Sequence, residues 1–264
     1  MISDESYWIL IKELIENLKI DFYIPLIDEE IVEAKRNIED FGDVKVISPA
    51  ADFSELCLNK FVLMQRLKEA NISDVISYTG DFYNSELGFP IFIKPISGRG
   101  SRGIMKIKDA DQLDAYYKLE GYTPEEILIQ PMLTGVEYTV GALTNNRNDL
   151  LSISSKRIIK KKGITQIAIT ENNQAIDQIV KKIVEEFKPC GPFNVQLILT
   201  PSGDIKVFEI NPRFSTTTIM EIEGGADPIR AYLEYFDKDY KGPFKSPVEN
   251  MYLHRRWENI FYNA

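Results

Sequence analysis

The chain has one histidine, His254, and two cysteines, Cys57 and Cys190. One histidine rules out a multi-histidine metal centre and makes a histidine-activated nucleophile improbable. Two isolated cysteines form neither a disulfide framework nor a zinc site, and they suit a reducing cytoplasm. No apolar run approaches the roughly 20 residues needed to span a bilayer. The start, MISDESYW, lacks the basic and apolar regions of a signal peptide. Positive charge is outweighed, 31 Lys and Arg against 40 Asp and Glu, for a formal net charge of -9. That balance argues against nucleic-acid and membrane-surface partners, which need clustered cations. The one basic run, Lys156 to Lys162, reads either as a solvated hairpin or as a phosphate-facing strand. What is present is ample hydrophobic material, 44% of 264 residues, enough for one large core or two modest ones.

Apolar spacing predicts helices over Ser6–Lys19, Ile31–Phe41, Leu56–Ala70, Asp109–Leu119 and Ile176–Phe187. Strands are expected at Asp21–Leu26, Val44–Ser48, Phe89–Pro95, Ile104–Ile107, Glu126–Gln130, Glu137–Thr144, Leu150–Lys161, Thr165–Thr170, Phe193–Leu199 and Ile205–Ile210. The tail from Lys238 to Ala264 ends in an aromatic, strand-like stretch. The front alternates helix and strand, which implies parallel units, but only about two of them. The rest mixes strand runs with isolated helices, an α+β body with antiparallel sheets.

Gly98, Gly100 and Gly103 match G-x-G-x-x-G, yet a strand follows where a dinucleotide fold needs a helix. The loop therefore reads as a hairpin tip. It is either an ordinary flexible turn or, given Arg99, Ser101 and Arg102 among the glycines, a cover for phosphates. Lys94, at the end of the preceding strand, points a cation at the same place.

The most informative stretch is residues 194–213, NVQLILTPSGDIKVFEINPR. With Ser202 and Gly203 as the loop, Gln196 faces Glu209 and Asn194 faces Asn211. The two-residue period puts all four oxygen-bearing side chains on one face, with Ile198 and Val207. Such a set, with one charge, suits a hard cation that keeps waters and phosphates in its shell. Arg213, just beyond, is placed to stabilise a transferring phosphoryl group.

With LNKF (58–61), FIKPISGRGSRG (92–103), LIQPMLTGVEYTV (128–140), NVQ (194–196), FEINPRFSTTT (208–218) and GGADP (224–228), the chain resembles the ATP-grasp superfamily. It looks most similar to the branch containing the carbamoyl phosphate synthase large subunit. The resemblance covers about Ser54 to Gly225. It implies two α+β subdomains clasping ATP, over 53–125 and 126–264, preceded at 1–52 by a partial Rossmann-like α/β domain.

The resemblance also implies roles. Lys60 and Lys94 fall where cations meet the α- and β-phosphates, and Gly98, Arg99, Gly100, Ser101 and Gly103 form the phosphate-covering loop. Gln130 and Met132 lie on the adenine linker, Glu137 meets the ribose, and Phe208 packs beneath the base. Gln196, Glu209 and Asn211 hold magnesium or manganese. Arg213 acts at the transition state, and Arg157 lies near the acceptor or γ-phosphate. The chain departs here from the family's usual acid at Gln130-Pro131. It also has the metal position at Gln196 as an amide, and Tyr7 to Ala51 resembles only the second half of the usual leading domain.

The implied activity is an ATP- and magnesium-dependent ligase. It activates a small carboxylate as an acylphosphate for attack by an amine or similar nucleophile. The alternatives are an ATP-binding module or part of a split enzyme, and thirdly a small-molecule kinase. The implied partners are ATP and the carboxylate, with a second chain supplying the missing half-domain, or a homodimer.

Overall fold

A computed structural model describes residues 5–37, 42–83, 87–98, 100, 102–238 and 246–262. The front is α1 (Glu5–Leu18), β1 (Phe22–Tyr23), α2 (Asp28–Arg36) and β2 (Lys45–Val46). β1 and β2 pair in parallel, Phe22 with Lys45 and Tyr23 with Val46. Both strands are shorter than the sequence suggested. Pro25 has no N–H to give to a ladder, so β1 stops before it. α2 starts earlier than expected, with Asp28, Glu29 and Glu30 in its first turn, where acids complement the helix dipole. Residues 38–41 of the expected helix lie outside the described residues.

The single helix expected over Leu56–Ala70 is two, α3 (Ala51–Leu58) and α4 (Lys60–Glu69). Asn59 breaks it. Its backbone is extended, and its side chain accepts a hydrogen bond from the Val62 N–H at 3.1 Å, capping α4. Hydrophobic periodicity runs through such a break, because both helices bury apolar faces.

Two antiparallel sheets form the body. The smaller is ordered β3-β6-β4-β5, from Tyr78–Thr79, Ile127–Pro131, Ile91–Pro95 and Met105–Ile107. α5 (Ala110–Glu120) packs on it around Ile93, Tyr116 and Ile129. β6 thus joins the small sheet although it lies past the expected division at 125/126. The larger sheet is ordered β11-β10-β7-β8-β9-β12. Its strands are β7 (Val136–Thr144), β8 (Leu150–Lys162), β9 (Ile164–Thr170), β10 (Pro192–Leu199), β11 (Ile205–Asn211) and β12 (Tyr252–His254).

α6 (Gln174–Phe187) buries Ile176, Val180, Ile183 and Val184. With α3 and α4 it covers one face of the large sheet, making the main core with Phe193, Val195 and Leu197. The other face, opposite this core, is polar along several strands. α7 (Thr218–Glu223) and α8 (Pro228–Lys238) occupy a stretch for which the sequence suggested no helix. The aromatic tail contributes only β12 to the sheet, and Trp257, Phe261 and Tyr262 are exposed.

Candidate active site

A cleft of about 470 Å³ is lined by residues of both sheets. On the large sheet, Asn194 pairs with Asn211 and Gln196 with Glu209, as period-two reading expects. The route to that register differs. The Thr200 and Asp204 backbones pair at 2.9 Å, so Pro201, Ser202 and Gly203 all lie in the loop. Gly203 takes a positive φ of 90°, which a side chain resists. Near this turn Leu199 pairs with Ile205 and Leu197 with Val207. The register then shifts, with Phe208 as the extra residue on β11.

The bulge corrects one expectation and explains another. Val207 faces the core, fully buried beside Leu197, and not the cleft. Phe208 and Glu209 are consecutive, yet both line the cleft; strict alternation would have sent one of them inward.

Lys60 is the first residue of α4 and its first turn has no acid. A cation there opposes the helix dipole, so the local fold does not ask for it. Its Nζ donates to the Gly98 carbonyl at 2.8 Å. Lys94, on β4, is 2% exposed. Its Nζ donates to the Phe208 carbonyl at 2.9 Å and lies 5.5 Å from the centre of the Phe208 ring. Burial pushes the Lys94 ammonium down to about 8. Glu209 opposes that shift, and Lys60 and Lys161 add to it. Gly98 and Gly100 line the cleft at φ of 121° and 70°, in a hairpin between β4 and β5. Arg102 lines it too. Arg99 and Ser101 lie outside the described residues.

Glu209, Gln196 and Asn211 present one carboxylate and two amides to the cleft. No group of three or more His, Cys, Asp or Glu side chains able to hold a metal occurs among the described residues. The donor set fits a hard cation that arrives with phosphate oxygens, and is too sparse to hold one alone. Lys161 reaches in from β8, donating to Glu137 at 2.7 Å and to Gln196 at 3.2 Å. This cation was hidden in the basic run, which the structure divides three ways. Lys156 is buried in an ion pair with Glu221, Arg157 bonds Glu171, and Lys161 enters the cleft.

Arg213 closes one end. Its carbonyl accepts from the Asn194 amide at 2.9 Å, and the Asn194 oxygen accepts from Asn211 at 3.4 Å. Asn194 therefore serves chiefly to shape the chain at Arg213. The guanidinium Nε donates to Asp28 of α2 at 2.5 Å. Ser215, Thr216 and Thr217 line the cleft just beyond. Thr139 also lines it, on β7. Asp28 and Thr139 carried no signal in the sequence.

Four candidates stand away from the cleft lining. Arg157 pairs across the strand with Tyr138, whose ring is in the core, so it projects to the face opposite Glu137 and Thr139. Gln130 is buried, its amide donating to the Ser77 hydroxyl at 2.8 Å. Met132 follows β6 and is partly exposed. Gly103 takes a φ of 65° against Pro95, its carbonyl accepting from Tyr116 at 2.7 Å.

The profile of the ATP-grasp domain matches residues 57–217. D-alanine–D-alanine ligase of Flavobacterium johnsoniae is 28% identical over 160 residues, covering 52% of this chain and 50% of that protein. The arginine-specific carbamoyl phosphate synthase large chain of Arabidopsis thaliana is 24% identical over 160 residues, 56% of this chain and 14% of that one. The structure superposes on biotin carboxylase from Campylobacter jejuni with a TM-score of 0.76 at 14% identity, over 92% of this chain and 60% of that one. The chain spans about half the length of the D-alanine–D-alanine ligases it matches. With the matched stretch running from the end of α3 through the metal-type hairpin to the cleft-lining Thr217, the chain belongs to the ATP-grasp family.

Proposed function

We propose that the cleft binds ATP with a divalent cation and transfers its γ-phosphoryl group to a small carboxylate, and that an amine or similar nucleophile then displaces phosphate from the acylphosphate. The observation that carries this reading is the convergence of Lys60, Lys94, Lys161 and Arg213 on the cleft that also holds Glu209, Gln196 and Asn211. With Arg102, Glu137 and Asn194 also in the lining, five cations stand around two carboxylates and three amides, an excess of positive charge that suits a polyanion with its metal.

Phosphoryl transfer asks the protein for positioning and charge neutralisation rather than covalent chemistry. Lys60, Lys94 and Lys161 hold the phosphates, with the glycine hairpin covering them. Phe208 supports the base and Glu137 the ribose. The backbone after β6, at Met132, runs beside the base. Magnesium or manganese, when held by Glu209, Asn211 and Gln196, supplies further neutralisation at the phosphates. Arg213 offers its guanidinium to the transferring group.

The deciding experiment is thermal unfolding with ATP and Mg²⁺, against GTP and against EDTA. A ligand that binds only the native state raises the midpoint by mass action. A magnesium-dependent rise specific to ATP is expected, followed by ADP release in a screen of carboxylates with amines. No shift with any nucleotide would overturn the reading.

One observation favours a second reading, a nucleotide-binding part completed by another chain or by a homodimer. The parallel pair β1–β2 has two residues per strand, too little for an independent sheet. We assign the cytoplasm from the free thiols of Cys57 and Cys190. No helix among the described residues is long and apolar enough to cross a membrane.

A further inference from the structure

We infer that Asp28, in the N-terminal segment, is a positioning residue that holds Arg213 toward the γ-phosphate. The inference rests on the nucleotide reading of the cleft. Asp28 lies outside the matched stretch of residues 57–217 and 185 positions from its partner.

Arg213 is fixed on nearly every side. Its N–H donates to the Asn211 carbonyl at 2.9 Å, and its own carbonyl accepts from Asn194. Nε donates to Asp28 and Nη1 to the Phe214 carbonyl at 3.3 Å. Nη2 alone has no partner among the described residues, and the side chain lines the cleft. A guanidinium held at Nε keeps its plane and leaves Nη2, at the outer end of the planar fork, for another acceptor.

The electrostatics require such a holder. Lys60, Lys94, Lys161 and Arg102 line the same cleft, with Glu137 and Glu209 as its acids. Glu137 is engaged by Lys161. An unpaired Arg213 would be repelled by these cations and drawn toward water. Asp28 opposes that from behind. It is 6% exposed and sits in the first turn of α2, where the helix dipole attracts an acidic side chain. Asp28 is the first residue of the helix, one past the cap position at Ile27, and its carboxylate accepts from Arg213. Of the neighbouring acids, Glu30 accepts from the Tyr7 and Tyr23 hydroxyls, which leaves Asp28 for Arg213. The N-terminal segment thereby contributes to the nucleotide site, and is not merely attached to it.

The test compares affinities for Mg·ADP and for a non-hydrolysable Mg·ATP analogue by calorimetry, in the full chain. The variants are Asp28→Ala, Asp28→Asn, Arg213→Ala and the double Asp28→Ala/Arg213→Ala. The preference of the wild type for the triphosphate is expected to fall about tenfold in Arg213→Ala and nearly as far in Asp28→Ala. Asp28→Asn should fall between, and the double variant should be no worse than Arg213→Ala alone, the non-additivity expected of residues acting as one unit. ADP affinity should stay within about twofold throughout. An equal loss for both nucleotides in Asp28→Ala would make the residue merely structural and overturn the inference. So would an unchanged triphosphate preference in Asp28→Ala beside a loss in Arg213→Ala. A wild type that binds neither nucleotide would remove the reading of the cleft itself, and the role of Asp28 with it.

Discussion

Lys156 and Glu221 form an ion pair closed off from solvent, 0% and 2% exposed. It joins the middle of β8 to α7, and a Cβ on Gly141 would overlap the Glu221 carboxylate. Lys156 shares a ladder row with Thr139, and Thr139 with Gln196 and Glu209. The pair thus anchors α7, and the cleft-lining Ser215–Thr217 before it, onto the sheet that carries the metal-type donors.

Breaking this pair strands a buried charge. Glu221→Ala is expected to cost about 3–5 kcal/mol in denaturant unfolding. Replacing both partners, as in Lys156→Met with Glu221→Leu, should cost far less. A small loss in Glu221→Ala alone would contradict full burial of the pair.

Lys94 makes the site sensitive to alkaline pH. Its ammonium is lowered to about 8 from an unfolded value near 10.4. Between those values the unfolded chain binds the extra proton, so this group makes stability rise with pH from about 8 to about 10. Nucleotide binding should run the other way. Phosphates favour charged Lys94, so affinity falls above pH of about 8 and binding there takes up a proton. Calorimetry in buffers of different ionisation enthalpy measures that uptake. It should vanish in Lys94→Met.

Glu209 is the only carboxylate among the three proposed metal donors. Glu209→Ala should leave the unfolding midpoint nearly unchanged without ligand and remove the magnesium dependence of ATP binding. Gln196→Ala should weaken that dependence without abolishing it, since an amide oxygen is the weaker donor. Retained magnesium dependence in Glu209→Ala would remove the metal assignment.

Asn59 separates two helices that the hydrophobic pattern runs together. Asn59→Ala removes the cap on α4 and should cost about 1 kcal/mol, with Asn59→Asp or Asn59→Ser recovering most of it. Because Lys60 is the next residue, the alanine variant should also lower ATP affinity. An unchanged midpoint would mean that the cap bond contributes nothing.

Short-range periodicity carries some of this protein in plain view. The apolar stripe of α6 and the antiparallel hairpin of β10 and β11 follow from spacing alone. So does the shared face of Gln196 and Glu209, because each depends on residues a few positions apart. Even there, two departures cancelled: a longer loop moved the register by one, and the bulge at Phe208 moved it back. A bulge has no residue signature, since it is set by what packs on the strand.

What the sequence by itself determined was the long strands of both sheets, the apolar stripe of α6 and the chemistry of 194–213, because backbone period and turn residues act locally. The tertiary structure alone decided which members of the basic run were buried, paired or sent into the cleft. It also brought Asp28 to Arg213 across 185 positions. Burial and charge pairing between distant segments depend on how sheets and helices close over one another, and no local pattern contains that information.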